Sequence, residues 1–528
     1  MKRSSPRLLH ETLLMSAERF PERTAIVSDE ERITYADLVT TARRFAHTLR
    51  DRGVRRADRV AVFLENGVPA AVGVYGALLC GATFIVVNPQ TKPDKLRYIL
   101  DDAGVSALLT DARSASTAVA AAAEIATLAT VVVVGPTDID SPLIVPFDDA
   151  IRGPDHPVPE QVIPLDLAAL VYTSGSTGQP KGVMLSHQNM VFTLGSLVEY
   201  LRLDSDDRIL NALPLAFDYG LYQLLMAVSL GATLVLETSF SFPTRIVQRA
   251  QSEEVTVLPG VPTMFATLLS MHRERPLSMP SIRRITNTAA HLPDEYVPRL
   301  LEISPRALIF RMYGLTECKR VCYLEPELVS TKPRSVGKAI PGTEAYVLDE
   351  SGEPVAPGAT GTLFVRGPHV MVGYWNLPEA TAHMLKPGRY PGERVLCTHD
   401  FFTVDDDGFL YFVGRSDDII KSRGEKVSPV EVENVLATIP GVREAAVVGV
   451  DDEILGQAVQ AFVVLDVGVV MDERAFRRAC MARMESYMVP KVVTFVDDLP
   501  KTATGKVRRK SLLAGETSDD SVSTGSVG

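Results

Sequence analysis

At 528 residues the chain is roughly three to four times the length of a typical single domain, so several subdomains with ample apolar core are expected. Its 54 lysines and arginines against 65 aspartates and glutamates leave a net charge of −11, which disfavours a nucleic-acid or anionic-membrane partner held by bulk electrostatics. The composition is otherwise that of an ordinary globular protein, and the five cysteines, Cys80, Cys318, Cys322, Cys397 and Cys480, form no CxxC pair and no zinc spacing, so a reduced, cytoplasmic protein is the expectation.

In chain order, residues 1–7 are basic, but no apolar segment of signal-peptide length follows them. Residues 66–91 carry no charge and are long enough on count alone to cross a bilayer. Gly67, Pro69, Gly73, Gly76, Gly81 and Pro89 interrupt that run, which fits better as a buried helix over 70–80, a turn, and a strand over 83–87, so no membrane span is expected. The segment has an echo. Leu79-Cys80-Gly81-Ala82-Thr83-Phe84-Ile85-Val86 is matched by Ser229-Leu230-Gly231-Ala232-Thr233-Leu234-Val235-Leu236. Two similar α/β subdomains account for it, and chance recurrence of a common helix-Gly-strand turn is the alternative. Continuous apolar runs over 131–134 and 168–172 suit parallel strands covered on both faces.

After about residue 330 the texture changes to short alternating strands, as over 343–348 and 361–366, which predicts a small β-rich subdomain. A further break at 414–426 precedes helix-like 430–438, strand-like 444–450 and 461–465, and helix-like 473–484. The expected class is therefore α/β. A large domain over 1–416 is built from two similar α/β subdomains and the β-rich one, a small α+β domain covers 417–514, and a tail over 515–528 is too poor in apolar residues to order.

The strongest chemical signal is Leu170-Val171-Tyr172-Thr173-Ser174-Gly175-Ser176-Thr177-Gly178-Gln179-Pro180-Lys181-Gly182. A strand runs into a Gly/Ser/Thr loop whose backbone N–H groups, hydroxyls and one lysine can surround phosphate oxygens. No Gly-Lys-Ser/Thr closes it, so it is not a Walker A loop.

Together with Met312-Tyr313-Gly314-Leu315-Thr316-Glu317, Thr398-His399-Asp400, Gly414-Arg415-Ser416-Asp417-Asp418-Ile419-Ile420-Lys421 and Pro500-Lys501-Thr502-Ala503-Thr504-Gly505-Lys506, this loop resembles the adenylate-forming superfamily of acyl-CoA synthetases, luciferases and nonribosomal-peptide adenylation domains. The resemblance runs in family order from about residue 10 to residue 510. It implies a two-step reaction. A carboxylate attacks the α-phosphate of ATP to give an acyl-adenylate and pyrophosphate, then a thiol takes the acyl group and AMP leaves, with a mobile C-terminal domain that rotates between the steps.

The same resemblance implies residue roles. Thr173, Ser174, Gly175, Ser176, Thr177, Gly178 and Lys181 fall in the loop that holds the β- and γ-phosphates. Tyr313 is expected to stack on adenine, Thr316 to bond the α-phosphate, and Glu317 to hold Mg²⁺. Asp400 takes the ribose hydroxyls and Arg415 a second ribose or phosphate contact. Asp417 falls at the hinge, followed by Lys421, Gly424 and Lys426, the last standing where many relatives have arginine. Lys506 is the adenylation lysine, a flexible ammonium able to bridge the attacking carboxylate and the α-phosphate.

The acid is read from Leu213-Pro214-Leu215-Ala216-Phe217-Asp218-Tyr219-Gly220. Amino-acid adenylation domains pair an aspartate after phenylalanine here with the substrate ammonium, so Phe217 and Asp218 suggest an amino or β-amino acid. Asp218 as N-cap of a helix over 219–228 is the rival reading. Arg320 and Val321, three and four residues beyond Glu317, correspond to acid-pocket positions, and Arg320 suits a second carboxylate or polar group, or a structural role. Asn287, opening Asn287-Thr288-Ala289-Ala290-His291, stands in the pocket wall and favours a small or medium acid. No Gly-x-Asp-Ser-Leu carrier signature is present. The acceptor is therefore the phosphopantetheine of a carrier protein acting in trans, with Arg508, Arg509 and Lys510 as its candidate docking patch, or free CoA. Two other readings stand beside the amino-acid one: an AMP-forming acyl-CoA ligase for a fatty or aromatic acid, and a non-catalytic binding protein, against which intact Lys181, Glu317, Asp400 and Lys506 argue.

Overall fold

The computed structural model describes residues 5–513 apart from 124, 160–161, 175–178, 416–417, 423–424, 453–455, 487 and 502–506. Packing divides the chain into Met1–Ala345 with Val365–Cys397, and Tyr346–Phe364 with Thr398–Gly528. The 416/417 boundary read from sequence texture follows the motif break, whereas the packing division cuts through the β-rich segment. The tail over 515–528 lies outside the described residues.

The first unit holds two large sheets flanked by helices. One runs, strand by strand, Lys338–Ala339, Cys322–Leu324, Leu308–Tyr313, Arg284–Asn287, Val257–Gly260, Arg208–Asn211, Thr233–Leu236, Thr24–Ser28, Glu31–Thr34, and the six strands from Leu308–Tyr313 to Thr24–Ser28 are parallel. The other runs Gly373–Tyr374, Pro180–Ser186, Leu167–Ser174, Thr83–Val86, Arg59–Phe63, Val105–Asp111, Thr130–Val134, Ile144–Pro146. Strands such as Val257–Gly260 and Thr233–Leu236 are buried along their whole length, as sheets covered on both faces require. Leu167–Ser174 is parallel to its neighbour on one side only. On the other side the chain turns back at once and pairs antiparallel as Pro180–Ser186.

The sequence echo is a structural repeat. Helices Val68–Cys80 and Asp218–Leu230 each end on a left-handed glycine, Gly81 at φ +89° and Gly231 at φ +73°. The same two closing bonds follow, Gly81 N to Leu78 O and Ala82 N to Ala77 O, Gly231 N to Val228 O and Ala232 N to Ala227 O. Each turn feeds a strand of a different sheet. At Gly231 a Cβ would also lie 2.3 Å from the Phe20 ring, so both the backbone conformation and the space demand glycine. Among the described residues no helix is long and apolar enough to cross a membrane.

In the second unit, Ile420, Val427, Val432, Leu436, Val447, Val463 and Phe476 form a core between helices Pro429–Ala437 and Glu473–Met481 and the long hairpin of Val442–Asp452 with Gly456–Leu465. Glu433 is tied into this body by charge. Its carboxylate accepts two bonds from Arg509 at 2.9 Å and one from the Val447 amide at 2.8 Å, and Arg509 lies 3.3 Å from Asp418. Arg509 is thus committed internally and is not part of an exposed docking patch. Arg508 donates to the Lys501 carbonyl, and the side chain of Lys510 lies outside the described residues.

Burial holds the imidazoles of His187, His291 and His369 near pKa 4, against 6.5 in an open chain, and the Arg311 guanidinium adds to the effect at His291. His187 accepts the Leu9 amide on Nδ1, which also requires the unprotonated nitrogen. Below pH 6.5 the unfolded chain takes up protons that the folded state refuses until about pH 4, so stability is lost as pH falls through that window. Each group withdraws on the order of 3 kcal/mol over its full shift. The urea midpoint should fall steeply between pH 7 and pH 5, and His369→Phe should flatten part of the slope. An unchanged slope in the variant would contradict this account.

Candidate active site

The strands on either side of the Gly/Ser/Thr segment, Leu167–Ser174 and Pro180–Ser186, pair antiparallel, with Thr173 and Lys181 as Cα partners. Gly175, Ser176, Thr177 and Gly178, with the side chain of Ser174, lie outside the described residues. Lys181 places its ammonium 5.6 Å from the centroid of the Tyr374 ring, an electrostatically favourable contact. The Tyr374 hydroxyl in turn donates to Glu317 Oε1 at 2.6 Å. Tyr374 enters on the short edge strand Gly373–Tyr374, paired to Pro180–Ser186. One aromatic side chain therefore joins the phosphate-loop lysine to the acidic residue of the next motif. Sequence reasoning missed it. The available signal was the adjacent pair Tyr374-Trp375 just after glycine.

Tyr313 ends the strand Leu308–Tyr313, and the chain then winds through a tight turn closed by Val321 N to Tyr313 O at 2.9 Å and Lys319 N to Leu315 O at 2.7 Å. A Cβ at Gly314 would stand 2.1 Å from the Lys319 carbonyl oxygen, so this close approach is open to glycine alone. Thr316 and Glu317 sit half-buried on the turn, and the Met371 amide donates to the Glu317 carbonyl at 2.7 Å. Among the described residues no cluster of three metal-ligating side chains exists. A single carboxylate is what Mg²⁺ asks of a protein when substrate phosphates complete its shell, so Glu317 fits that ion.

The parallel strands of the first sheet end at Asn211, Gly260, Asn287 and Tyr313, and the positions expected to bind the acid lie in or beside the segments that follow. Ligands of open α/β sheets occupy the crevice at those carboxyl ends. The segment after Asn211 is pinned by Asn66, which donates to the Leu213 carbonyl and accepts from the Leu215 amide, both at 2.9 Å. Phe217 is the N-cap of the following helix and Asp218 its first residue, with no side-chain capping bond. The capping reading of Asp218 is therefore corrected. Its buried carboxylate instead lies 3.6 Å from Arg320 Nη1, and the Arg320 guanidinium covers the Tyr219 ring at 4.9 Å. Asn287 and Val321 are both buried here, and Ala289 holds a left-handed φ of +77°. Lys319, absent from the expected site, is 1% exposed at φ +67°.

In the second unit Asp400 and Arg415 are Cα partners on adjacent antiparallel strands, Arg394–Val404 and Leu410–Arg415. Asp400 Oδ1 lies 3.8 Å from Arg415 Nε, with the carboxylate largely covered and the guanidinium half exposed. Asp417, Gly424 and Lys506, and the side chains of Lys421 and Lys426, lie outside the described residues.

Comparison with known proteins agrees with this arrangement. The pattern of the AMP-binding enzyme family matches residues 13–375 and that of the AMP-binding enzyme C-terminal domain residues 431–506. A long-chain-fatty-acid–CoA ligase of Bacillus subtilis is 31% identical over 96% of this chain and 94% of its own length. A feruloyl-CoA synthase of an Amycolatopsis species is 35% identical over 93% of this chain and 95% of its own. The crystal structure of ATP-bound MatB from Rhodopseudomonas palustris superposes with a TM-score of 0.87 at 29% identity, covering 96% of this chain and 98% of that one. Two family patterns in sequence order, together with a matching fold, establish that the chain belongs to the AMP-binding enzyme family, the adenylate-forming acid–thiol ligases.

Proposed function

We propose that the protein condenses a carboxylic acid that is not an amino acid with coenzyme A, at the expense of ATP. In the first step a carboxylate oxygen attacks the α-phosphorus and the bond to the β-phosphate bridging oxygen breaks, which releases pyrophosphate. In the second the thiolate of CoA attacks the acyl carbon and AMP departs with the electron pair.

The observation that carries this reading is the ion pair of Asp218 with Arg320 at 3.6 Å. A substrate ammonium needs a carboxylate free to receive it, and here the protein supplies its own cation. An amino or β-amino acid loses its recognition element, and with it goes the reason for a carrier protein as acceptor. The CoA ligase and synthase names of the relatives, for long-chain fatty and feruloyl groups, support the same choice.

In this reading Thr173, Ser174, Ser176, Thr177 and Lys181 hold the β- and γ-phosphates, with Gly175 and Gly178 giving the backbone amides access. Tyr313 stacks on adenine and Thr316 bonds the α-phosphate. Glu317, oriented by Tyr374, holds Mg²⁺, which supplies charge neutralisation on the phosphates. Asp400 and Arg415 take the ribose, Lys506 bridges the reacting groups, Asp417 is the hinge, and Phe217, Asn287 and Val321 shape the acyl pocket.

ATP–pyrophosphate exchange across a panel of acids, followed by CoA-dependent AMP release, tests it. Exchange is expected with fatty, aryl or other non-amino acids, and each active acid should also yield its CoA thioester. Exchange confined to α- or β-amino acids, with no turnover on CoA, would overturn it.

A further inference from the structure

Three buried nitrogen donors at the carboxyl ends of the parallel strands are left over after the site has been described. Lys319 Nζ, Arg320 Nε and Asn287 Nδ2 meet no hydrogen-bond acceptor among the described residues, although the three residues are 1%, 4% and 2% exposed. Topology brings the three residues to the same end of one sheet. Asn287 closes the strand Arg284–Asn287, Leu308–Tyr313 lies beside it in parallel register with Asn287 opposite Arg311, and the turn leaving that second strand carries Lys319 and Arg320. Arg320 is anchored to Asp218 and to the ring of Tyr219, whose hydroxyl donates to the Thr286 carbonyl at 2.7 Å, next to Asn287.

The charges do not balance. Among the described residues Arg320 is within ion-pair distance of Asp218 and Lys319 is within that distance of no carboxylate. Glu317, the next acid along the turn, already receives the Tyr374 hydroxyl. Folding removes water from these donors and returns no acceptor to them among the described residues, so an oxygen ligand that reaches them meets groups already desolvated.

We propose that Lys319, Arg320 and Asn287 receive a second carboxylate of the substrate, which makes the protein a ligase for dicarboxylic acids. This rests on the acid-activating reading above and extends it to the far end of the acyl group. The reacting carboxylate is consumed at the α-phosphate, while the distal one takes the surplus positive charge of Lys319 and the unused donors of Arg320 and Asn287.

Matched pairs of acids test it, each pair replacing a distal carboxylate by an isopropyl group of similar size: terephthalate with 4-isopropylbenzoate, and glutarate with 5-methylhexanoate. In pyrophosphate exchange the diacid of at least one pair is expected to lead by at least about tenfold in kcat/KM. Lys319→Met should abolish that lead by raising KM for the diacid alone, Lys319→Arg should restore part of it, and Asn287→Ala should weaken it in the same selective way. A wild-type preference for the isopropyl acid in both pairs overturns the proposal, as does a Lys319→Met or Asn287→Ala variant that slows both members alike. Exchange with no acid of any kind would overturn the acid-activating reading itself.

Discussion

Replacing Lys506 by alanine is expected to lower acyl-adenylate formation by at least about a hundredfold, the scale on which a preorganised charge contact to a developing transition state is lost. The reason is electrostatic. A carboxylate and the α-phosphate of ATP are both anions, and they must be brought within bonding distance. An ammonium with three donors on a four-carbon stem can touch both and neutralise charge as the new bond forms. Thiolysis asks nothing of the kind, since its electrophile is a neutral mixed anhydride carbon. Thioester formation from synthetic acyl-adenylate should therefore survive in the variant while pyrophosphate exchange collapses. Equal loss in the two assays would remove Lys506 from its assigned role.

The second large effect concerns Asp218. Asp218→Ala leaves the Arg320 guanidinium buried beside Tyr219 with its counter-charge removed, and breaking a buried pair on one side costs about 3–5 kcal/mol. Loss of a helix cap would cost about 1 kcal/mol, so the two accounts are separable by calorimetry or urea titration. The double variant Asp218→Leu with Arg320→Met, which removes both charges and keeps apolar volume, should recover most of the loss. A single variant within about 1 kcal/mol of wild type would show that the pair contributes little and would reopen Asp218 to a substrate ammonium.

Both predictions bear on what could be read from the sequence. The helix-Gly-strand echo was legible because Gly81 and Gly231 each mark a left-handed residue that few side chains tolerate, and the apolar strands beyond them have no other reading. The Tyr313 to Glu317 turn was legible as a pattern because its residues are adjacent in sequence, and so was the Gly/Ser/Thr segment, of which 175–178 lie outside the described residues. The Asp218–Arg320 pair was not, since the two residues come together only through the order of parallel strands, which no local pattern encodes. Tyr374 was missed for the same reason, as it reaches Glu317 from 57 residues downstream on an edge strand. The helix begins at Asp218, one residue earlier than the pattern suggested, with Phe217 as its N-cap and no side-chain capping bond.

The Glu433–Arg509–Asp418 cluster has a mechanical side. Arg509 comes three residues after Lys506, and Asp418 directly follows Asp417. The guanidinium is thus a strut between the segment that follows residue 506 and the segment that follows residue 417, with Glu433 as its footing on a packed helix. Were the proposed hinge at Asp417 to turn, Asp418, Glu433 and Arg509 would turn with it as one unit. In that case rotation at the hinge would reach the segment that follows Lys506 with little slack, as through a single crank.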